Sequence, residues 1–138
     1  MKLLLAVDGS AHSDKAVAEA GRLAAAARAE VVVVHQRSDN AADHGPAVPS
    51  PEGAEQAQSL VDAAVAALVA AGAVSARGRV LRGLQGEEAQ AILEVAREED
   101  ADIIVVGPRG MGRLAGLLVG SVTNRLVQLS DRPVLVVR

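Results

Sequence analysis

Short, almost unbroken apolar runs alternate along this chain with longer stretches in which apolar residues recur at helical spacing. Lys2-Leu-Leu-Leu-Ala-Val7 is one such run, ended by Asp8-Gly9-Ser10, and it reads as a strand covered on both faces. From Ser13 to Arg28, Ala16, Val17, Ala20, Leu23, Ala24 and Ala27 follow the i, i+3, i+4 pattern of an amphipathic helix that Ser13 or Ser10 can cap. Glu30 to His35 encloses Val31-Val-Val-Val34, a second buried strand. Residues 37–52 lose all periodicity and carry Pro46, Pro49 and Pro51, which predicts a loop.

Helical spacing resumes from Ala54 to Ala71 at Ala57, Leu60, Val61, Ala64, Leu68 and Ala71, with Gly72 as the stop. Arg77 to Arg82 alternates Arg-Gly-Arg-Val-Leu-Arg, a more exposed strand that belongs at or near a sheet edge. Gly86 to Glu99 predicts a third helix with Ala89, Ile92, Leu93 and Ala96 inward, and Asp102-Ile-Ile-Val-Val106 a fourth strand. A glycine-rich stretch, a helix from Ser121 to Leu129 and the strand Pro133-Val-Leu-Val-Val137 complete the order. Strand and helix alternate throughout, so the expected class is α/β, with a five-stranded parallel sheet covered by helices on both faces. With 138 residues and no internal repeat, one domain spanning 1–138 is expected.

Composition narrows the function. Fourteen basic against seventeen acidic residues leave a formal charge of −3, so no field attracts nucleic acid. The chain has no Phe, Trp or Tyr and therefore no stacking platform for single strands; a bound adenine must be held by aliphatic side chains and backbone. The lack of cysteine removes disulfide, iron–sulfur and thiol chemistry and fits a reducing compartment. No apolar run approaches the roughly 20 residues of a membrane span, so no membrane partner and a cytoplasmic location are expected.

In an open parallel sheet, ligands sit beyond the carboxyl ends of the strands where the order reverses. Asp8-Gly9-Ser10 after the first strand and the glycine-rich stretch after the fourth are the two unusual loops at that end. An order of 3-2-1-4-5 makes them face each other, whereas a flavodoxin-like order leaves the glycine-rich loop off-centre. Glycines at 107, 110, 112, 116 and 120 let successive main-chain N–H groups converge on an anion, aided by the helix beginning at Ser121. Arg109 and Arg113 can add charge, and the Ser121 hydroxyl can meet a phosphate oxygen or a magnesium-bound water. Gly110-Met-Gly-Arg-Leu-Ala115 matches a dinucleotide pattern but not after the first strand, and no P-loop motif is present.

Three segments together resemble the universal stress protein family, and the likeness covers essentially the whole chain. Ala6-Val-Asp-Gly-Ser10 looks like its first-strand signature and Val33-Val-His35 like the end of its second strand. Gly107-x2-Gly110-x9-Gly120-Ser121 is similar to the family's ATP-binding signature. The resemblance implies the 3-2-1-4-5 order of an adenine-nucleotide α-hydrolase-like fold and places the chain in the ATP-binding branch. It implies that Asp8 and the backbone around Ala6 and Gly9 meet the ribose–adenine end, and that Val34 to Gln36 line the base. Gly107, Arg109, Gly110, Met111, Gly112 and Arg113 would wrap the phosphates, with Gly120, Ser121 and Val122 completing the cradle. Gln36 departs from the small apolar residue expected at its position.

The implied ligand is ATP with Mg2+, and the implied role a nucleotide-dependent regulator of stress response. No general base stands out, so hydrolysis is expected to be slow at most. An adenine-nucleotide-using enzyme of the α-hydrolase type and a nucleotide-free dimeric interaction module are the alternatives. Asp8 can instead cap the first helix, His12 lacks any nucleophile elbow beside it, and His35 reads as a hydrogen-bonded core residue. His44 falls in the Pro-rich loop, and Arg125 reads as a surface charge on its helix. The apolar final strand, residues 133–137, would be an exposed sheet edge, so a homodimer paired through it is expected; the resemblance implies the same.

Overall fold

The computed structural model describes residues 1–39, 53–108 and 120–138. In chain order the elements are β1 (Lys2–Ala6), α1 (Ala11–Ala27), β2 (Glu30–Asp39), α2 (Ala54–Ala70), β3 (Ser75–Leu84), α3 (Glu88–Glu98), β4 (Ile103–Val106), α4 (Ser121–Leu129) and β5 (Val134–Val136). They build a five-stranded sheet of order β3-β2-β1-β4-β5 in which each neighbouring pair is parallel. Of the two orders left open by the sequence pattern, the one that sets β1 beside β4 is realised.

The apolar runs are continuous because both faces of the inner strands are covered. On one face Leu3, Leu5, Val31, Val33 and Val105 pack with Ala16, Ala20 and Ala24 of α1 and with Val61, Ala64 and Leu68 of α2. On the other, Leu4, Val32, Val34, Ile104 and Val106 pack with Ile92, Leu93 and Ala96 of α3 and with Leu126 of α4. Alanine along α1 lets that helix lie close to the sheet without any aromatic filler.

Several expected boundaries move. Residues 37–39 are not loop: β2 runs on to Asp39 by pairing with β3 from Glu30↔Ser75 to Asp39↔Leu84. That extension is held by main-chain hydrogen bonds to the outermost strand, so it leaves no apolar signature. For the same reason β3 is longer than Arg77–Arg82 at both ends. The rest of the expected loop, 40–52, lies outside the described residues. Helix α3 starts at Glu88 rather than Gly86, because Gly86 takes a left-handed φ of 93° in the turn before it. α1 opens earlier, at Ala11, and β4 and β5 are each trimmed at their ends.

Polar groups fasten the periphery. Arg77 forms an ion pair with Glu99, and Arg79 Nη1 lies 3.0 Å from Glu98 and 3.3 Å from Glu99, tying β3 to the end of α3. The Arg77 and Arg79 guanidinium groups hold the Glu99 carboxyl below the usual carboxylate range, against the opposing effect of its partial burial. Arg132 Nη1 donates to the carbonyls of Ala96 and Ala101, each at 2.7 Å, and so closes the C-terminal end of α3.

Candidate functional site

The chain leaves β1 toward β2 on one side and β4 toward β5 on the other, so the sheet order reverses between β1 and β4. A crevice is expected at the carboxyl ends of those two strands. Their last pair is Ala6↔Val106, and the turns leaving the two strands form the rim.

After β1, three short polar side chains lock the turn into α1. Asp8 Oδ1 accepts from Ser10 N at 3.0 Å and from Ser10 Oγ at 2.7 Å. Ser10 Oγ in turn accepts from Ser13 N, and Ser13 Oγ accepts from Asp8 N, both at 3.2 Å. Ser10 is therefore the cap of α1; Asp8 fixes the rotamer of the cap instead of capping. Asp8 is half-buried, and its Oδ2 has no partner among the described residues. Gly9 makes the turn with a φ of 77°, a conformation that side chains disfavour.

After β4, Gly107 comes to rest on the first turn of α1. A Cβ there would stand 3.1 Å from the His12 carbonyl oxygen and 3.2 Å from its carbon, so any side chain would have to push the two backbones apart by a few tenths of an ångström. Thr123, buried in α4, donates its hydroxyl to the Gly107 carbonyl at 2.8 Å. Gly120 N donates to Pro108 O at 2.7 Å, which sets the start of α4 beside the end of β4. Gly120 is the N-cap of α4 and offers no side-chain acceptor, and among the described residues no side chain caps the first turn. Ser121 is exposed there, and Val122 is half-buried against the α3–α4 core.

The expected site residues thus fall into two groups. Ala6 ends β1 opposite Val106, and Asp8 and Gly9 lie in the turn that follows it. Gly107 rests on the His12 backbone, and Gly120, bonded to Pro108, opens the helix that carries Ser121 and Val122; Gly9 itself faces Leu60 of α2. Val34 is buried on the same face as Ala6, and Gln36 stands two residues further on, at the rim of β2. Arg109, Gly110, Met111, Gly112 and Arg113 lie outside the described residues. Thr123 is the member that motif reading missed; its signal is a hydroxyl at i−3 from the buried Leu126, on the inward stripe of α4.

The remaining candidates settle into structural roles. His35 is buried with Nδ1 2.8 Å from Val7 O, which fixes the end of β1. His12 is half-buried and serves Gly107 through its backbone. Arg125 Nη1 reaches the Gly86 carbonyl at 3.4 Å. Among the described residues no three His, Asp or Glu side chains gather as a metal site. No described helix is long and apolar enough to cross a membrane.

A parallel α/β sheet whose order reverses between β1 and β4, with Gly9 and Gly107 in the turns that leave those strands, defines the class of open, doubly wound folds. Within that class, the model of the Universal stress protein family matches residues 1–138, and the chain belongs to that family. A universal stress protein of Thermus aquaticus is 35% identical, covering 99% of this chain and 97% of its own. One from Mycobacterium tuberculosis is 32% identical over 99% of this chain, which spans only 44% of that longer protein. Among solved structures, a universal stress protein in complex with cAMP superposes with a TM-score of 0.77 at 29% identity, covering 100% of this chain and 96% of the other.

Proposed function

We propose that this chain binds an adenine nucleotide, ATP with Mg2+, across the ends of β1 and β4, and acts as a cytoplasmic, nucleotide-dependent regulator of stress response built from one domain. The observation that carries the reading is the meeting of two loops far apart in sequence. Gly107 seats on the His12 backbone, and Gly120 bonds Pro108, which supports a shared mouth between the start of α1 and the start of α4. The solved relative in complex with cAMP supports an adenine nucleotide as the ligand class.

In this reading Asp8, through its unengaged Oδ2, and the backbone at Ala6 and Gly9 take the ribose. Val34 and Gln36 line the base. Gly107, Gly120, Ser121 and Val122 hold the phosphates with Arg109, Gly110, Met111, Gly112 and Arg113. With no aromatic side chain in the chain, the base would be held by aliphatic side chains and backbone. The Ser121 hydroxyl, exposed at the start of α4, is placed to bond a phosphate oxygen or a water on the metal. Asp8 Oδ1 and Ser10 are committed to one another, which removes one carboxylate oxygen as a proton acceptor and accords with slow hydrolysis at most.

A homodimer through β5 is part of the same proposal. β5 ends the sheet order with Val134 and Val136 half-buried and Leu135 37% exposed, and Val127 and Leu129 of α4 are more than half or half exposed nearby in sequence. A symmetry mate pairing along β5 would cover that edge.

The test is mass spectrometry of the denatured, freshly purified protein, with thermal melting in Mg-ATP, AMP and cAMP. The reading predicts a co-purified adenine nucleotide or a raised melting temperature; a nucleotide at a hundred times its Kd adds about 2.7 kcal/mol. Neither signal with any adenine nucleotide would leave the nucleotide-free interaction module. Multiple turnover of labelled ATP would instead favour an enzyme.

A further inference from the structure

A cavity between α1 and α2 plays no part in the nucleotide reading, although it reaches the turn after β1. It measures about 520 Å3, within the range that small-molecule sites occupy. Its origin is in the sequence. Near their C-terminal ends the two helices touch, and a Cβ on Gly21 would stand 2.8 Å from that of Ala71. Toward the other end Leu60 of α2 reaches the turn after β1, where a Cβ on Gly9 would come within 2.6 Å of its Cδ1. Between these two contacts the wall is built mostly of alanine: Ala18 from α1, and Ala63, Ala64 and Ala67 from α2. With only Val17 and Leu60 as larger members there, the side chains are too short to fill the gap.

The polar groups of the wall decide what suits it. Ser13 is buried, and its Oγ is already engaged by Asp8 N. Asp14 is the one charged side chain on the wall among the described residues. It is exposed, and among those residues its carboxylate makes no hydrogen bond or ion pair. Aliphatic carbon offers nothing to a sugar or a phosphate, and a carboxylate at its edge repels anions. An apolar body with a cationic end answers both features.

We propose that this cavity is a second binding site, for a compact aliphatic amine that lays its hydrocarbon between α1 and α2 and sets its ammonium on Asp14. The inference does not depend on the nucleotide. Because Gly9 and Ser13 belong both to this wall and to the turn that fixes Asp8, an occupant touches that turn from behind.

The experiment titrates hexylammonium chloride, hexan-1-ol and sodium hexanoate at matched ionic strength into the wild type, Asp14→Asn and Ala67→Leu. Backbone amide chemical shifts report binding, and melting curves confirm that each variant folds. Hexylammonium is expected to saturate at about millimolar concentration, moving the amides of Ser13, Ala18, Ala63 and Ala67 together. The alcohol should bind at the same residues about threefold more weakly, since the ion pair is exposed, and hexanoate more weakly still. Asp14→Asn should erase the preference for the amine, and Ala67→Leu, which fills the cavity, should abolish binding of both. Shifts that never saturate, or that fall elsewhere on the surface, overturn the site. Equal affinity for the three probes in the wild type overturns the ligand class. Undiminished amine binding by a folded Ala67→Leu overturns the placement. Each of these failures leaves the nucleotide reading untouched, because no nucleotide enters the measurement.

Discussion

Thr123 shows how one hydroxyl can set a site it does not line. It is 2% exposed, and it donates to the Gly107 carbonyl at the point where β4 gives way to the glycine-rich stretch. Thr123→Val keeps the shape, removes the donor and leaves that carbonyl without it, which costs about 1–3 kcal/mol. Urea denaturation should show that loss, and Thr123→Ser should recover most of it; an unchanged midpoint for the valine variant would contradict the assignment. Ser10→Ala should cost about 1 kcal/mol through the α1 cap, whereas Asp8→Asn keeps an acceptor for Ser10 and should fold nearly as well. At this scale the sequence drew attention to Asp8, Gly107, Gly120 and Ser121 because glycine and short polar residues at strand ends are unusual, and the structure sets them in the turns after β1 and β4 and at the start of α4. It hid Thr123, whose hydroxyl sits on an inward stripe where pattern reading expects an apolar residue, and it did not separate Ser10 from Ser13 or Asp8 as the cap.

Among the elements, β1, β4 and α4 were legible because burial on both faces, or a regular inward stripe, writes itself into the apolar pattern. The ends of β3 and of β2 were not, because Arg37, Ser38 and Asp39 join the sheet through main-chain pairing to an edge strand. What ties that edge to α3 is charge, centred on Glu99, whose side chain is 12% exposed while that of Arg77 is 56% exposed. Glu99 has its carboxyl pKa depressed in the folded protein by Arg77 first and Arg79 after it. Its contribution is therefore present above the ordinary carboxylate pKa and is lost as pH falls through the folded value. Glu99→Gln should lower stability at neutral pH by less than about 1 kcal/mol, given how exposed Arg77 is. Melting curves should then converge for the two proteins in acid, and a gap that stays constant or widens as pH falls would contradict the assignment.

For the whole molecule, the sheet order puts two edges on view, and they differ. β3 is long and studded with arginine, with Arg77 and Arg79 engaged by α3, a charged edge of the kind that resists pairing. β5 is short and carries Val134, Leu135 and Val136. A dimer through β5 is thus the expected assembly, and Leu135→Lys should shift it toward monomer in analytical ultracentrifugation at micromolar concentration. A wild type that sediments as a monomer there would remove this part of the account. The class of fold was readable from the residue pattern, because strand–helix alternation leaves few arrangements, and the two odd loops pointed to the order that sets β1 beside β4. The contact of Gly107 with His12 was not, since it depends on the strand order and on how closely two backbones approach. Calorimetric titration of Mg-ATP into the wild type and Gly120→Val is the most direct measurement of the central claim. The account predicts saturable binding by the wild type, and its loss in a variant that still melts cooperatively. Undiminished affinity in Gly120→Val would contradict it.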